Sequence, residues 1–509
     1  MAKKNARVHG AALLKTLSRE VIGLDTYYTL ATGKRTRRIY LDSTASTLRL
    51  KVVQDVLDRF QPYYSNTHSV SHFGAKLSTA EYRWAHEMVL RFVRANPEIY
   101  TAFFSGSGTT AGMNRVARTL REKRPERDVV ITSIMEHHSN DLPHRKHFRE
   151  VVHVETAMAT HSMGRVDVDR LEEALRKHSD KVNYVAITGV SNVTGIINPV
   201  HDIAELAHKC GALIVVDGAQ MAAHLPIQMS GHADPGRDLD VLVFSGHKVY
   251  APGSPGVVVT RKELFAGLEP QEIGGGVVDH VAVNRYTITQ SFPEREEAGT
   301  PDICGAIGLG AALYALSKVG MDVIAEEECR LIEYAIDRLS TVEDLIIYGE
   351  TDCNLCRRTG SISFNIKELD HGLTAVALND YFNVAVRNEC FCAHPYVREM
   401  VTLNLTEEAE RVSDEELARL AELHRGMVRA SFGVYSTKQD VDALVAALRH
   451  VSANKDFYRK HYVRLPSGDY EHKVFKFDHG KVFSVEGEVD AALDSVAVDR
   501  SPAVSQQDR

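Results

Sequence analysis

Short apolar runs punctuate the first half of the chain. Val129-Val130-Ile131, Tyr184-Val185-Ala186-Ile187, Leu213-Ile214-Val215-Val216, Val241-Leu242-Val243-Phe244 and Val257-Val258-Val259 contain almost no polar positions. Such runs predict strands buried on both faces, as in a parallel sheet. Between them, Leu171, Ala174 and Leu175 recur at helical spacing, as do Ile203, Leu206 and Ala207, which predicts amphipathic helices. Alternation of this kind from residue 39 to about 290 predicts an α/β layered domain with its sites at the carboxyl ends of the strands.

A second unit is expected from about 300 to 450. A Gly/Ala-rich helix over Ile303 to Leu316 opens it, and a charged helix around Glu326 to Leu339 follows. Ser361-Ile362-Ser363-Phe364-Asn365 alternates like a half-buried strand. Val441, Leu444, Val445 and Leu448 mark a last helix around Asp440 to Leu448. Beyond 451, Val474, Phe475 and Phe477, the Asp478-His479-Gly480 turn, and Val482, Phe483 and Val485 predict a hairpin. The final twenty or so residues are polar and expected to be disordered. No internal repeat is visible.

With 60 Lys+Arg against 68 Asp+Glu, the net charge of −8 argues against a nucleic-acid surface. No stretch is long and apolar enough to suggest a membrane span. An odd count of seven cysteines fits no disulfide framework and suits a reducing compartment. The basic, acid-poor start (Lys3, Lys4, Arg7, Lys15, Arg19) has no apolar block of secretory type, so the cytoplasm is the default expectation, with a mitochondrial transit segment as the alternative.

Four segments carry candidate chemistry. Phe244-Ser245-Gly246-His247-Lys248 delivers a lysine to the end of a buried strand. Desolvation there disfavours the ammonium and frees an amine for Schiff-base chemistry; a surface lysine is the plainer reading. Asp217, in Val215-Val216-Asp217-Gly218-Ala219-Gln220, is either a helix N-cap or the carboxylate partner of a pyridinium nitrogen, and Gln220 could donate to a phenolate. Ser105-Gly106-Ser107-Gly108-Thr109-Thr110 precedes a helix and suits a phosphate, yet lacks the Gly-Lys-Ser/Thr of a nucleotide P-loop. Glu136-His137-His138-Ser139-Asn140-Asp141 offers an imidazole to stack on a planar ring, or, with His144 and His147, metal ligands.

In this order the segments resemble the class-V group of fold-type-I pyridoxal-phosphate enzymes, and within it cysteine desulfurases and selenocysteine lyases. The similarity runs from about 39 to 450. It includes Tyr40-Leu41-Asp42-Ser43-Thr44-Ala45-Ser46, Asn66-Thr67-His68-Ser69, Val190-Ser191-Asn192-Val193-Thr194-Gly195, Gly274-Gly275-Gly276 and Glu297-Ala298-Gly299-Thr300-Pro301. The resemblance implies a large domain (39–295) with a mostly parallel seven-stranded sheet flanked by helices, and a smaller α+β domain (296–450). An N-terminal extension (1–38) and a C-terminal extension (451–509) lie outside it.

Position by position, the resemblance implies that Lys248 holds pyridoxal 5′-phosphate and shuttles protons, Asp217 pairs with the pyridinium, and His137 stacks on the ring. Gln220 would bond the phenolic oxygen. Gly108, Thr109, Thr110, Ser245 and His247 would cradle the phosphate. Thr300 would reach it from the partner subunit, implying a homodimer with composite sites. Asn192, Arg387, Arg429 and His68 fall toward the substrate. No metal site is expected.

The reaction turns on Arg387-Asn388-Glu389-Cys390-Phe391-Cys392-Ala393-His394. Desulfurases place a mobile-loop cysteine a few residues after an arginine, as Cys392 follows Arg387. A thiolate there could take sulfur from L-cysteine as a persulfide, leave alanine, and pass the sulfur to an acceptor protein. Relatives often carry Gly-His-His before the nucleophile, whereas this chain has Glu389-Cys390-Phe391. Cys390 could relay sulfur, pair with Cys392 or be inert, and Glu389 would tend to raise the neighbouring thiol's pKa. Cys353 and Cys356 read as a loop, without a second CxxC. The alternative reactions are C–S lyase, selenocysteine lyase, or another class-V aminotransferase or epimerase.

Overall fold

The computed structural model describes residues 9–67, 69–157, 163–409, 413 and 425–499. The chain divides into two compact units, 1–455 and 456–509.

In the first unit the apolar runs form one seven-stranded sheet. Its strands are β1 (Tyr100–Ser105), β2 (Val129–Ser133), β3 (Glu150–Val154), β4 (Val182–Thr188), β5 (Leu213–Asp217), β6 (Val241–Ser245) and β7 (Gly256–Arg261), ordered β1-β7-β6-β5-β4-β2-β3. The pairs from β3 across to β6 are parallel. The run Val257–Val259 departs from the parallel expectation, because β7 is antiparallel to both β6 and β1. Apolarity reports burial on both faces, which β7 shares, and carries no record of direction. Helices Gly108–Lys123, Val168–His178 and Val200–Lys209 follow β1, β3 and β4. Leu171, Leu175, Ile203 and Ala207 turn their predicted faces into the core.

A second sheet, β8 (Leu345–Ile347), β9 (Ser361–Ile366), β10 (Arg387–Glu389) and β11 (Met427–Ser431), is antiparallel throughout and ordered β8-β9-β11-β10. Helices Ile303–Val319 and Met321–Leu339 precede it, and Lys438–Ala453 closes the unit. The Ser361–Asn365 alternation proves wholly buried rather than half-buried. Its polar side chains find protein partners in place of water: Ser361 Oγ lies 2.7 Å from Thr44 Oγ1, and Ser363 Oγ donates to the Val193 carbonyl at 2.6 Å. The N-terminal segment belongs to this unit as well. Leu13, Leu14 and Leu17 of helix Gly10–Leu17 pack on the core, and Ile39–Tyr40 pairs in parallel with Val384–Ala385.

In the second unit the hairpin lies earlier than expected. Tyr462–Arg464 pairs with Tyr470–His472, because Gly468 at φ +97° supplies the left-handed turn residue. Asp478-His479-Gly480 instead leads into a single 3₁₀ turn, and Val485–Asp499 is helical over much of the stretch expected to be disordered. Among the described residues no single helix is long and apolar enough to cross a membrane.

Candidate active site

Strands β5 and β6 run parallel and adjacent, with Asp217 in register with Val243, so their carboxyl ends open on the same side. Asp217 closes β5. Two residues after Val243, β6 ends at Ser245 and breaks into the 3₁₀ turn Gly246–Lys248. A cavity of about 260 Å³ sits above them. Lys248, Asp217, Gln220, His137, Asn192, Thr109, Thr110, Ser245, His247, Arg387, Arg429 and Cys392 all line it. Residues separated by hundreds of positions thus converge on one space, as open α/β sheets favour at their strand ends.

Electrostatics differentiate the two central groups. Burial pushes the Lys248 ammonium down to about 8, with Asp217 pulling the other way and Arg429 and Arg387 adding to the fall. Burial pushes the Asp217 carboxyl up, opposed by the Ala219 N–H, which donates to it at 2.9 Å, and by Lys248. His137 is driven down to about 3, first by burial and then by Lys248 and its cationic neighbours, so its ring is neutral at working pH. Its Nδ1 accepts from the Ser139 N–H at 3.1 Å, which fixes the tautomer.

At one end of the cavity the helix Gly108–Lys123 begins, aiming its positive dipole inward. Thr109 donates its backbone N–H to Ser245 Oγ at 2.8 Å, and the two hydroxyls also lie 2.8 Å apart. Thr110 Oγ1 meets Ser139 Oγ at 2.6 Å. Gly108 does not line the cavity itself. At φ +63° it lets β6 close on the helix start, where a Cβ would lie 2.6 Å from Ser245 Oγ.

Opposite stands Arg429 on β11, 2 % exposed. It donates to the Asn192 carbonyl at 2.8 Å and to Asp42 Oδ1 at 3.3 Å, while its Nε is buried without a partner. A buried guanidinium on a cavity wall suits an anionic ligand. Phe391 stacks its ring 4.7 Å from this guanidinium and gives its carbonyl to the Asn192 amide at 2.8 Å. The exposed thiol of Cys392 follows at φ +56°. Cys390 is turned against the core, its Sγ donating to the Arg425 carbonyl at 3.4 Å, and burial pushes its thiol up.

Some expected residues stand apart. Thr300 is exposed and off this cavity, its hydroxyl accepting from Asn66 Nδ2 at 3.3 Å. His68 lies outside the described residues. Gln220 does line the cavity, but its Nε2 donates to the Thr44 carbonyl at 3.0 Å. Among the described residues no group of three or more His, Cys, Asp or Glu is arranged to hold a metal; His144 is buried between Tyr184 and Asn140. Several lining residues carry no sequence-level assignment: Thr44, Ser107, Ser139, Thr188 and Phe391. Asp42 and Thr44 belong to the first motif block, where Asp42 is the signal for an acid beside Arg429.

The donor set fits a flat phosphorylated aldehyde. It comprises hydroxyls and a helix N-terminus for a dianion, a neutral imidazole and a buried carboxylate for the ring, and an amine of lowered pKa for a carbonyl.

Such a site on such a sheet defines an enzyme of the Aminotransferase class-V family, whose model matches residues 39–444, and the chain belongs to that family. Within it, the chain is 35% identical over 412 residues to a probable cysteine desulfurase of Halalkalibacterium halodurans, covering 81% of this chain and 92% of the relative. A probable cysteine desulfurase of Staphylococcus aureus is also 35% identical, over 83% of this chain and 93% of its own length. Among solved structures, a cysteine desulfurase from Thermococcus onnurineus superimposes with a TM-score of 0.69 at 29% identity, covering 82% of this chain and 95% of that one. One from Escherichia coli gives 0.65 at 29% identity, over 81% and 94%.

Proposed function

We propose that the protein is a pyridoxal-phosphate-dependent cysteine desulfurase. It converts L-cysteine to L-alanine and keeps the sulfur as a persulfide on Cys392. The observation that carries this reading is an exposed thiol on the wall of the cavity that also holds Lys248 and Asp217. When bound, pyridoxal phosphate supplies an electron sink that loosens the bonds of the substrate's carbon skeleton.

The chain's own residues supply the rest. Lys248, the buried amine of lowered pKa, would hold the cofactor and would then move a proton for the substrate. Asp217 would serve the ring nitrogen, and neutral His137 would stack on the ring. Thr109, Thr110, Ser245 and His247 would hold the phosphate. Arg429, on the cavity wall, clamps the substrate carboxylate, and Arg387 adds a second positive charge.

Cys392, as thiolate, attacks the substrate sulfur. An S–S bond forms, the C–S bond breaks, and its electron pair stays on carbon, which takes up a proton. The sum of L-cysteine and enzyme thiol is L-alanine and enzyme persulfide, with no outside oxidant. The sulfur then passes to an acceptor protein. Thr300, exposed and away from its own cavity, would serve the site of a second copy in a homodimer. Seven free thiols support a reducing, cytoplasmic setting.

Incubation of the purified protein with L-cysteine tests the reading. Alanine should accumulate, and the peptide holding Cys392 should gain one sulfur by mass. Pyruvate with ammonia, or a Cys392→Ala variant that still forms alanine at full rate, would overturn it.

A further inference from the structure

The turn that carries Cys392 is tied to the segment that carries His137. His138 donates its backbone N–H to the Cys392 carbonyl at 2.7 Å. Its side-chain Nε2 lies 2.9 Å from His394 Nδ1, the two rings stacked with planes 8° apart and centroids at 4.8 Å. One imidazole donates and the other accepts, so one proton between the facing nitrogens suffices. Neither ring lines the cavity, so the pair touches the reacting atoms only through Cys392.

The turn needs such a restraint. Glu389, Phe391 and Cys392 all sit at positive φ (+95°, +50° and +56°), where a residue with a Cβ is strained by about 1–2 kcal/mol each. Strained main chain persists only when its surroundings hold it. The Asn192 amide and the Arg429 guanidinium grip Phe391 on one side of the thiol. On the other side the imidazole pair grips His394. The chain has Glu389-Cys390-Phe391 on the N-terminal side of Cys392, so the imidazoles beside this thiol come from His394 and from the cofactor-facing segment.

We infer that His394 and His138 are positioning residues that hold the Cys392 thiol at the cavity mouth for sulfur transfer. This rests on the reading of Cys392 as the sulfur acceptor.

The test compares His394→Leu, His394→Asn and Cys392→Ala holoenzymes. An asparagine amide occupies the place of Nδ1 and can bond His138, whereas leucine cannot. In His394→Leu, kcat for alanine formation should fall about tenfold. The KM for L-cysteine and the visible cofactor absorbance should stay as they are. His394→Asn should recover to within about threefold of the parent. Parental kcat in His394→Leu, or an asparagine variant as slow as the leucine one, overturns the inference. Full alanine formation by Cys392→Ala overturns the underlying reading instead, which keeps the two failures distinct.

Discussion

Asp217 and Lys248 leave neighbouring parallel strands and line one cavity, each holding the other closer to its charged form against the cost of burial. Without Asp217 the lysine would lose the larger of the two charges drawing its pKa up, the other being Cys392, and without Lys248 the carboxyl would rise further. This opposition sets the amine's pKa at about 8 rather than the usual 10.5.

The first prediction concerns that amine. Uptake of pyridoxal phosphate by cofactor-free protein should accelerate through about pH 8 and level off. A surface lysine would keep gaining neutral amine past pH 10. Between about 8 and 10.5 the unfolded chain holds this proton and the folded chain does not. Stability of the cofactor-free protein should therefore rise with pH across that window through this group. Lys248→Met should flatten that component in denaturant titrations at pH 7.5 and pH 10.

Arg429 offers a second. Its guanidinium is held by Asp42 and the Asn192 carbonyl. Lysine cannot reproduce both contacts and still aim a donor into the cavity. Arg429→Lys should raise the KM for L-cysteine by about one to two orders of magnitude, with a smaller rise for Asp42→Asn. Steady-state kinetics on both variants decide it, and an unchanged KM in Arg429→Lys would remove the arginine from substrate binding.

A third falls on Gly108. Alanine there meets a left-handed φ of +63° and a Cβ 2.6 Å from Ser245 Oγ. Gly108→Ala should cost about 1–2 kcal/mol of stability and loosen cofactor binding, because Ser245 must withdraw from the helix start. Calorimetry and fluorescence titration with pyridoxal phosphate measure the two effects, and unaltered cofactor affinity would show that the close approach is unnecessary.

Much of this site is readable before any coordinates, because Asp217 and Lys248 each end an apolar run, and apolar runs become buried strands with ligand-facing tips. Direction is harder. Val257–Val259 reads as its parallel neighbours do, since burial and not polarity of the chain shapes its composition. Ser361–Asn365 misleads for a related reason: its polar side chains answer to Thr44 and Val193, which no local pattern reveals. The displaced hairpin shows a choice between two turn signals, won by the glycine at positive φ, Gly468. The imidazole contact between His138 and His394 spans 256 positions and leaves no spacing to detect.

The Asp42–Arg429 contact joins residues 387 positions apart, and Ile39–Tyr40 waits for Val384–Ala385 to complete its ladder. During translation, the Asp42–Arg429 wall of the cavity therefore cannot assemble until nearly all of the first unit has left the ribosome. A nascent chain arrested before residue 429 would carry Lys248 and Asp217 on a growing sheet and still lack the buried guanidinium of Arg429.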